Sequence, residues 1–276
     1  MAVDAITKRE FNDKIKDHKK SLAEIDKDIA AYKKSLTTNE KLKPFLYLGT
    51  TAAYLKQANI NMDMSYLSEK MLAVKNQSYL DQARKLLLRI FPEMEKVVTL
   101  ETDEPLDFNR EKLDLIKPFT PKHRLNLIKH LQKSVKRMID SYGPNTKWKW
   151  SFPDIWSKIA IVAKNLIDYR EVQSIRDPRE QFYYDRQELL TIIKEALFDA
   201  SNQFRDKFEL STKSNNDLLL AVKLLEDLRR ICSMMGDTEQ AKKAKAGIES
   251  YRARLEAIAA EEEAKKTGVA VKKKKK

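Results

Sequence analysis

From Phe11 to Leu36 the residues Phe11, Ile15, His18, Leu22, Ile25, Ile29, Tyr32 and Leu36 recur at steps that alternate four and three without a break. Only a helix places such residues on one stripe, and a stripe this narrow is a heptad seam that needs a second helix to cover it. Lysines and acidic residues nearly balance on the other faces, as on a solvated helix surface. The covering helix is either another part of this chain or a second copy of it. The eight seam residues are therefore the first candidates for partner binding or self-association.

The rest of the chain is constrained by how little punctuation it has. Five glycines and eight prolines in 276 residues are too few for the many reversals of a sandwich or barrel. A hydrophobic fraction of 42% is enough for a real core. The expected fold class is thus all-α. A helix starts at Pro44, a second spans about 64–74, and a third runs from its N-cap Ser78 through Ile90 until Pro92 kinks or ends it. The stretch 99–107, with Glu101, Asp103, Glu104 and Asp107, reads as an acidic loop, solvated or paired with the basic helix that follows. That helix opens at Thr120-Pro121, shows an apolar face from Leu125 to Ile139, and stops at Gly143-Pro144. Further helices run from Pro153 to about Ser174, from Pro178 to about Phe208, from Ser214 or Asn215 to Gly236, and from Asp237 to about Glu263. The organisation read from this is a heptad helix at 1–40, a stack of helical hairpins at 41–263, and a disordered basic tail at 264–276.

The net charge of +13 is local. Segment 119–150 carries eight basic residues and one acidic, segment 264–276 seven basic and none acidic, so the remainder carries −1. On the helix after Thr120 the cations are Lys122, Arg124, Lys129, Lys133, Lys136 and Arg137, continued by Lys147, Trp148, Lys149 and Trp150. Cations that neutralise phosphates beside aromatics that stack on bases suit nucleic acid. The same residues also suit an acidic protein partner, or a plain solvated face with tryptophans as a hydrophobic anchor. The run Lys272, Lys273, Lys274, Lys275 and Lys276 would attract any polyanion, and in a nucleated cell would serve as an import signal.

Two stretches carry a repeat-like pattern. One is Leu225-x2-Leu228-x3-Cys232-x3-Gly236-Asp237-x3-Ala241; the other joins Phe45-x2-Leu48-Gly49 to Tyr79–Ile90 with Ala83 and Leu87. Both resemble the helical hairpins of tetratricopeptide repeats. The resemblance implies a right-handed solenoid in which Gly49 and Ala83 let paired helices approach closely, and a concave surface that holds partner proteins. Arg229, Lys245 and Ile248 depart from the family pattern, and about twenty residues separate the helices of the first hairpin.

Catalytic motifs are not evident. His123 and His130, seven apart, share one helical face about 10 Å from each other, too far to chelate one ion. His18 sits in the seam, where a polar residue sets register. The acidic loop lacks the glycine and alternating carboxylates of a calcium site. Cys232, on an apolar helical stretch, reads as a core residue, and one cysteine points to a reducing compartment, the cytoplasm by default. No secretory leader is read in MAVDAITKREF, and the longest apolar runs are too short to span a bilayer. The expected function is a non-catalytic scaffold or adaptor without a cofactor or an evident small-molecule substrate. A nucleic-acid-binding protein is the alternative.

Overall fold

The computed structural model describes residues 4–37 and 40–266, so Lys272–Lys276 lie outside the described residues. Among those described, ten α-helices and no strand are present. No helix among them is long and apolar enough to cross a membrane. The chain divides into two units, the first comprising Met1–Glu101 and Asp107–Leu190, the second Thr102–Leu106 and Thr191–Lys276.

In the first unit, α1 (Ala5–Ser35) starts where the Asp4 carboxylate accepts the amide of Thr7. It lies along α2 (Lys43–Leu72), with Pro44 in the first turn of α2 as expected. Of the seam, Ile15, Ile25 and Ile29 are buried, while Phe11, His18, Leu22, Tyr32 and Leu36 are half-buried. The Gln57 amide donates to Asp26 at 2.7 Å, tying the two helices beside the apolar contact. A Cβ on Gly49 would stand 3.2 Å from the Tyr32 ring. The close approach at Gly49 is therefore made to α1, which corrects the expected pairing with Ala83.

The separate helix expected at 64–74 is instead the second half of a continuous α2. Asn59 and Asn61, just ahead of the expected second start, donate their amides back to the carbonyls of Leu55 and Gln57, both at 2.9 Å, and leave the helix intact. α2 ends at Ala73, whose φ of 52° turns the chain into α3 (Gln77–Glu95). α3 packs on α2, and Leu80, Ala83, Leu87, Ile90, Phe91 and Met94 form its buried face. Pro92 lies inside α3, which continues to Glu95, so the proline neither ends it nor coincides with its end. A short α4 (Arg110–Leu115) precedes α5 (Pro121–Tyr142), which packs on α2, α3 and α6.

The helix expected from Pro153 to Ser174 is two. α6 (Phe152–Asn165) stops, and Asp168 caps α7 (Tyr169–Ser174) by accepting the amides of Arg170 and Glu171. The next helix, α8 (Tyr183–Lys207), begins five residues after Pro178, because Phe182 takes a left-handed φ of 63° that no α-helix contains. α8 begins in the first unit and ends in the second.

In the second unit a π-turn (Phe208–Thr212) leads from α8 to α9 (Asn215–Met235), which forms an antiparallel hairpin with α10 (Thr238–Lys266). Gly236, at φ 76°, ends α9 as the sequence indicated. A Cβ on Gly247 would meet Leu225 at 2.7 Å, so the close contact of this hairpin is made at mid-helix. Thr102–Leu106 belongs to this unit: Asp103 pairs with Lys223 at 2.8 Å, and Arg230 donates to the carbonyl of Thr102 at 2.6 Å. Asp107 pairs with Arg170. The acidic loop thus finds its partners on α9 and α7, which corrects its expected pairing with the basic helix. The Lys223 ammonium holds the Asp103 carboxyl below its usual range.

Cys232 is buried on α9, as expected for a core residue. Burial, and secondarily the Asp237 carboxylate, pushes its thiol up to about 11. At pH 8 the native chain should therefore react with a thiol reagent at least roughly a hundredfold more slowly than the unfolded chain, since the thiolate is the nucleophile. Equal rates in buffer and in denaturant would contradict this burial.

Candidate functional site

α5 is fixed in place from its first residue. The Thr120 hydroxyl accepts the His123 amide, and the His123 ring nitrogen Nδ1 accepts the Thr120 amide, giving a capping box ahead of Pro121. The face bearing Leu125, Ile128, Leu131, Val135 and Met138 is buried. A second stripe, roughly a third of a turn away, carries His123, His130 and Arg137, with Asn126, Leu127, Lys133 and Ser134 between them.

That stripe faces α2. Asn59 of α2 donates to Ser134 at 2.8 Å, and one turn further Asp63 accepts from Arg137 at 2.6 Å. The two helices therefore run in the same direction and are clasped at this end. Towards their N-termini they enclose an open groove of about 600 Å³. Leu48, Ala52, Leu55, Lys56 and Asn59 form one wall, and the His123–Arg137 stripe with Phe119 forms the other. Leu48 and Leu55 are buried, Phe119 and Leu127 half-buried, and Ala52, Lys56, His130 and Lys133 exposed. Phe119 stacks on the His123 ring with centroids 5.7 Å apart. No carboxylate is among the lining residues described.

The cations singled out in the sequence are dispersed. Arg124 is buried, donating to the carbonyls of Phe119 at 2.9 Å and Leu166 at 3.2 Å. It faces the interior and is not part of a charged surface. Burial holds its guanidinium below its usual range, opposed by Glu171 and Asp168. Lys129 pairs with Glu188 and Arg137 with Asp63. Lys122, Lys133, Lys136, Lys147 and Lys149 are exposed.

Trp148 acts on α3. Trp148 donates its indole N–H to Asp81 at 3.1 Å, and the Arg84 guanidinium lies 3.6 Å over its ring. One face of that ring is thereby occupied. Trp150 is half-buried with Lys149 over it at 5.1 Å. Tyr142 also donates to Asp81, at 2.6 Å. Burial first, and then the Asp81 carboxylate, raises the Tyr142 phenol far above its ordinary value. The folded state thus favours the neutral phenol, a contribution present below about pH 10 and lost as pH rises beyond it. In Asp81→Asn the phenol should titrate at lower pH than in the parent, read from tyrosinate absorbance; an unchanged titration would remove Asp81 as a cause.

A second concave surface lies on the α9–α10 hairpin, where Arg229, Arg230, Ser233, Ala241, Lys242 and Lys245 border about 510 Å³ of open space. Three of its cations have carboxylates beside them: Arg230 binds Asp227, and Lys242 and Lys245 stand 3.8 and 3.7 Å from Glu239 and Glu249. Among the described residues no cluster of three or more histidine, cysteine or carboxylate side chains is placed to hold a metal ion.

Of the lining residues, sequence reasoning singled out Leu48, His123, His130, Lys133 and Arg137; Lys56, Asn59, Asn126 and Leu127 are among those it did not. Leu127, an apolar residue off the main stripe of α5, was the one available signal. Residues 7–259 match the model of the TP0443 family, and the chain belongs to that family. Neither a curated protein nor a solved structure matches it.

Proposed function

We propose that this TP0443-family chain is a non-catalytic adaptor that holds another protein in the groove between α2 and α5. The observation that carries this reading is a groove of about 600 Å³ with a floor of Leu48, Leu55 and Leu127 that no described element of the first unit fills. Apolar concavities of this kind are where helical proteins accept side chains of partners. The non-catalytic part of the reading is supported by how the groove's polar groups are engaged. Ser134 accepts from Asn59, Arg137 is paired with Asp63, and His123 is bonded to Thr120. The tetratricopeptide-like reading of the architecture belongs to the same proposal, supported by the α9–α10 hairpin with its turn at Gly236 and by the packing of α3 on α2. A cytoplasmic setting is supported by the single cysteine.

A photo-reactive residue at exposed Asn126, in the groove, should give a discrete protein adduct in the native cell, whereas one at exposed Asp13 on α1 should not. Identical adducts at both positions, or none at Asn126, would remove the groove as the binding surface.

The exposed Lys122, Lys133 and Lys136 along α5 favour a second reading, nucleic-acid binding. Under it, affinity for an oligonucleotide falls steeply with salt, with a slope of about one log unit per released phosphate contact. Absence of binding at low salt would dismiss it.

A further inference from the structure

Resting on the adaptor reading, we infer that the α2–α5 groove takes an acidic amphipathic helix of the partner protein, seated by apolar residues at positions i, i+3 or i+4, and i+7. Length is the first argument. The lining runs from Leu48 to Asn59 on α2 and from His123 to Arg137 on α5. At 1.5 Å per residue this is about 16–21 Å, or three to four helical turns.

The second argument is the nature of the walls. Both are helices whose backbone groups are bonded internally, so the groove offers no strand edge to an extended peptide. What it offers is side-chain ridges of helical period, into which the ridges of a third helix fit. Ala52, small and exposed in the middle of the α2 wall, allows that helix to come close. The clasp of Asn59 on Ser134 and Asp63 on Arg137 closes the far end, so a docked helix is stopped there in a defined register.

Charge is the third argument. The floor is apolar, but Lys56 stands on one wall and Lys133 on the other, with no lining carboxylate to offset them. A cationic rim on both sides of an apolar floor complements a helix with leucine-like anchors and glutamate flanks, and repels one with lysine flanks. Nucleic acid fits the groove less well, because Phe119, its aromatic ring, is already stacked on His123.

The experiment uses the full chain and three fluorescein-labelled 18-residue helical peptides: one with leucine anchors and glutamate flanks, one with the same anchors and lysine flanks, and one with scrambled anchors. By fluorescence anisotropy at physiological salt, the glutamate peptide should bind and the lysine peptide should bind at least about tenfold more weakly. In Lys56→Glu/Lys133→Glu, both exposed positions, the preference should reverse. Ala52→Arg should abolish binding of the glutamate peptide while its circular-dichroism melting curve matches the parent's. If the lysine peptide binds as well as the glutamate peptide, the acidic partner is refuted while the groove still holds a helix. If Ala52→Arg binds like the parent, the groove itself is refuted. If no peptide binds, the helical occupant is refuted, and the Asn126 adduct in the cell remains the separate measure of the adaptor reading.

Discussion

Arg124→Met is expected to cost the protein about 3 kcal/mol, measured as the shift of the urea midpoint at constant slope. The methionine keeps most of the apolar stem but removes both donors. Two carbonyls then lose their partners: that of Phe119, just before α5, and that of Leu166, where α6 has ended. Each unsatisfied buried acceptor costs about 1–3 kcal/mol. The Leu166 carbonyl is also at the negative end of the α6 dipole, where a guanidinium is favoured. Part of the loss is returned because the guanidinium no longer has to be buried, so the cost falls below the sum of two full penalties. Hydrogen exchange should rise first at the α5 N-terminus and at 166–168. A change under about 0.5 kcal/mol would mean that Arg124 is not holding these elements together.

Ile25→Asp is expected to cost about 3 kcal/mol or more and to expose α1 to exchange along its length. Ile25 is only 4% exposed, and a carboxylate there loses its hydration among apolar seam residues. The variant also separates the two ways of covering the seam. Because α1 lies along α2 and Tyr32 rests on Gly49 of the same chain, the oligomeric state should not change. If Ile25→Asp instead leaves the stability intact and turns a dimer into a monomer, the seam serves a second copy.

Much of the fold was legible because its boundaries are written in residues with one physical role. Thr120 caps α5 with its side-chain oxygen, and Gly143 and Gly236 end helices at positive φ. Where the reading failed, the deciding contact was local but ambiguous. Asn59 and Asn61 could break a helix or bond back into it, and they do the second. Pro92 could end α3, yet one turn follows it. The close contacts could not be assigned from hairpin pattern alone, since Gly49 meets Tyr32, a residue earlier in the chain than any hairpin partner considered for it. The groove was the least legible feature. It is made by two helices whose clasping residues, Asn59 and Ser134, are 75 positions apart, and α5 gives its floor a single off-stripe leucine. The charge pattern misled for a related reason: a helix spends some of its cations inward and on neighbours, and Arg124 and Lys129 cannot be told from Lys122 and Lys136 by composition.

The short segment Thr102–Leu106 sets an order on the making of this protein. The chain completes more than a hundred further residues before Lys223 and Arg230, which lie 120 and 128 positions beyond their partners here, leave the ribosome. At about 5–20 residues per second, Asp103 waits on the order of ten seconds for its lysine. A fragment that begins at Thr191 carries α9 and α10 but never receives this strand of chain, so Arg230 loses its two backbone acceptors. The second unit is consequently not a contiguous piece of the gene product: its last stitch is sewn with thread laid down before most of the fabric exists.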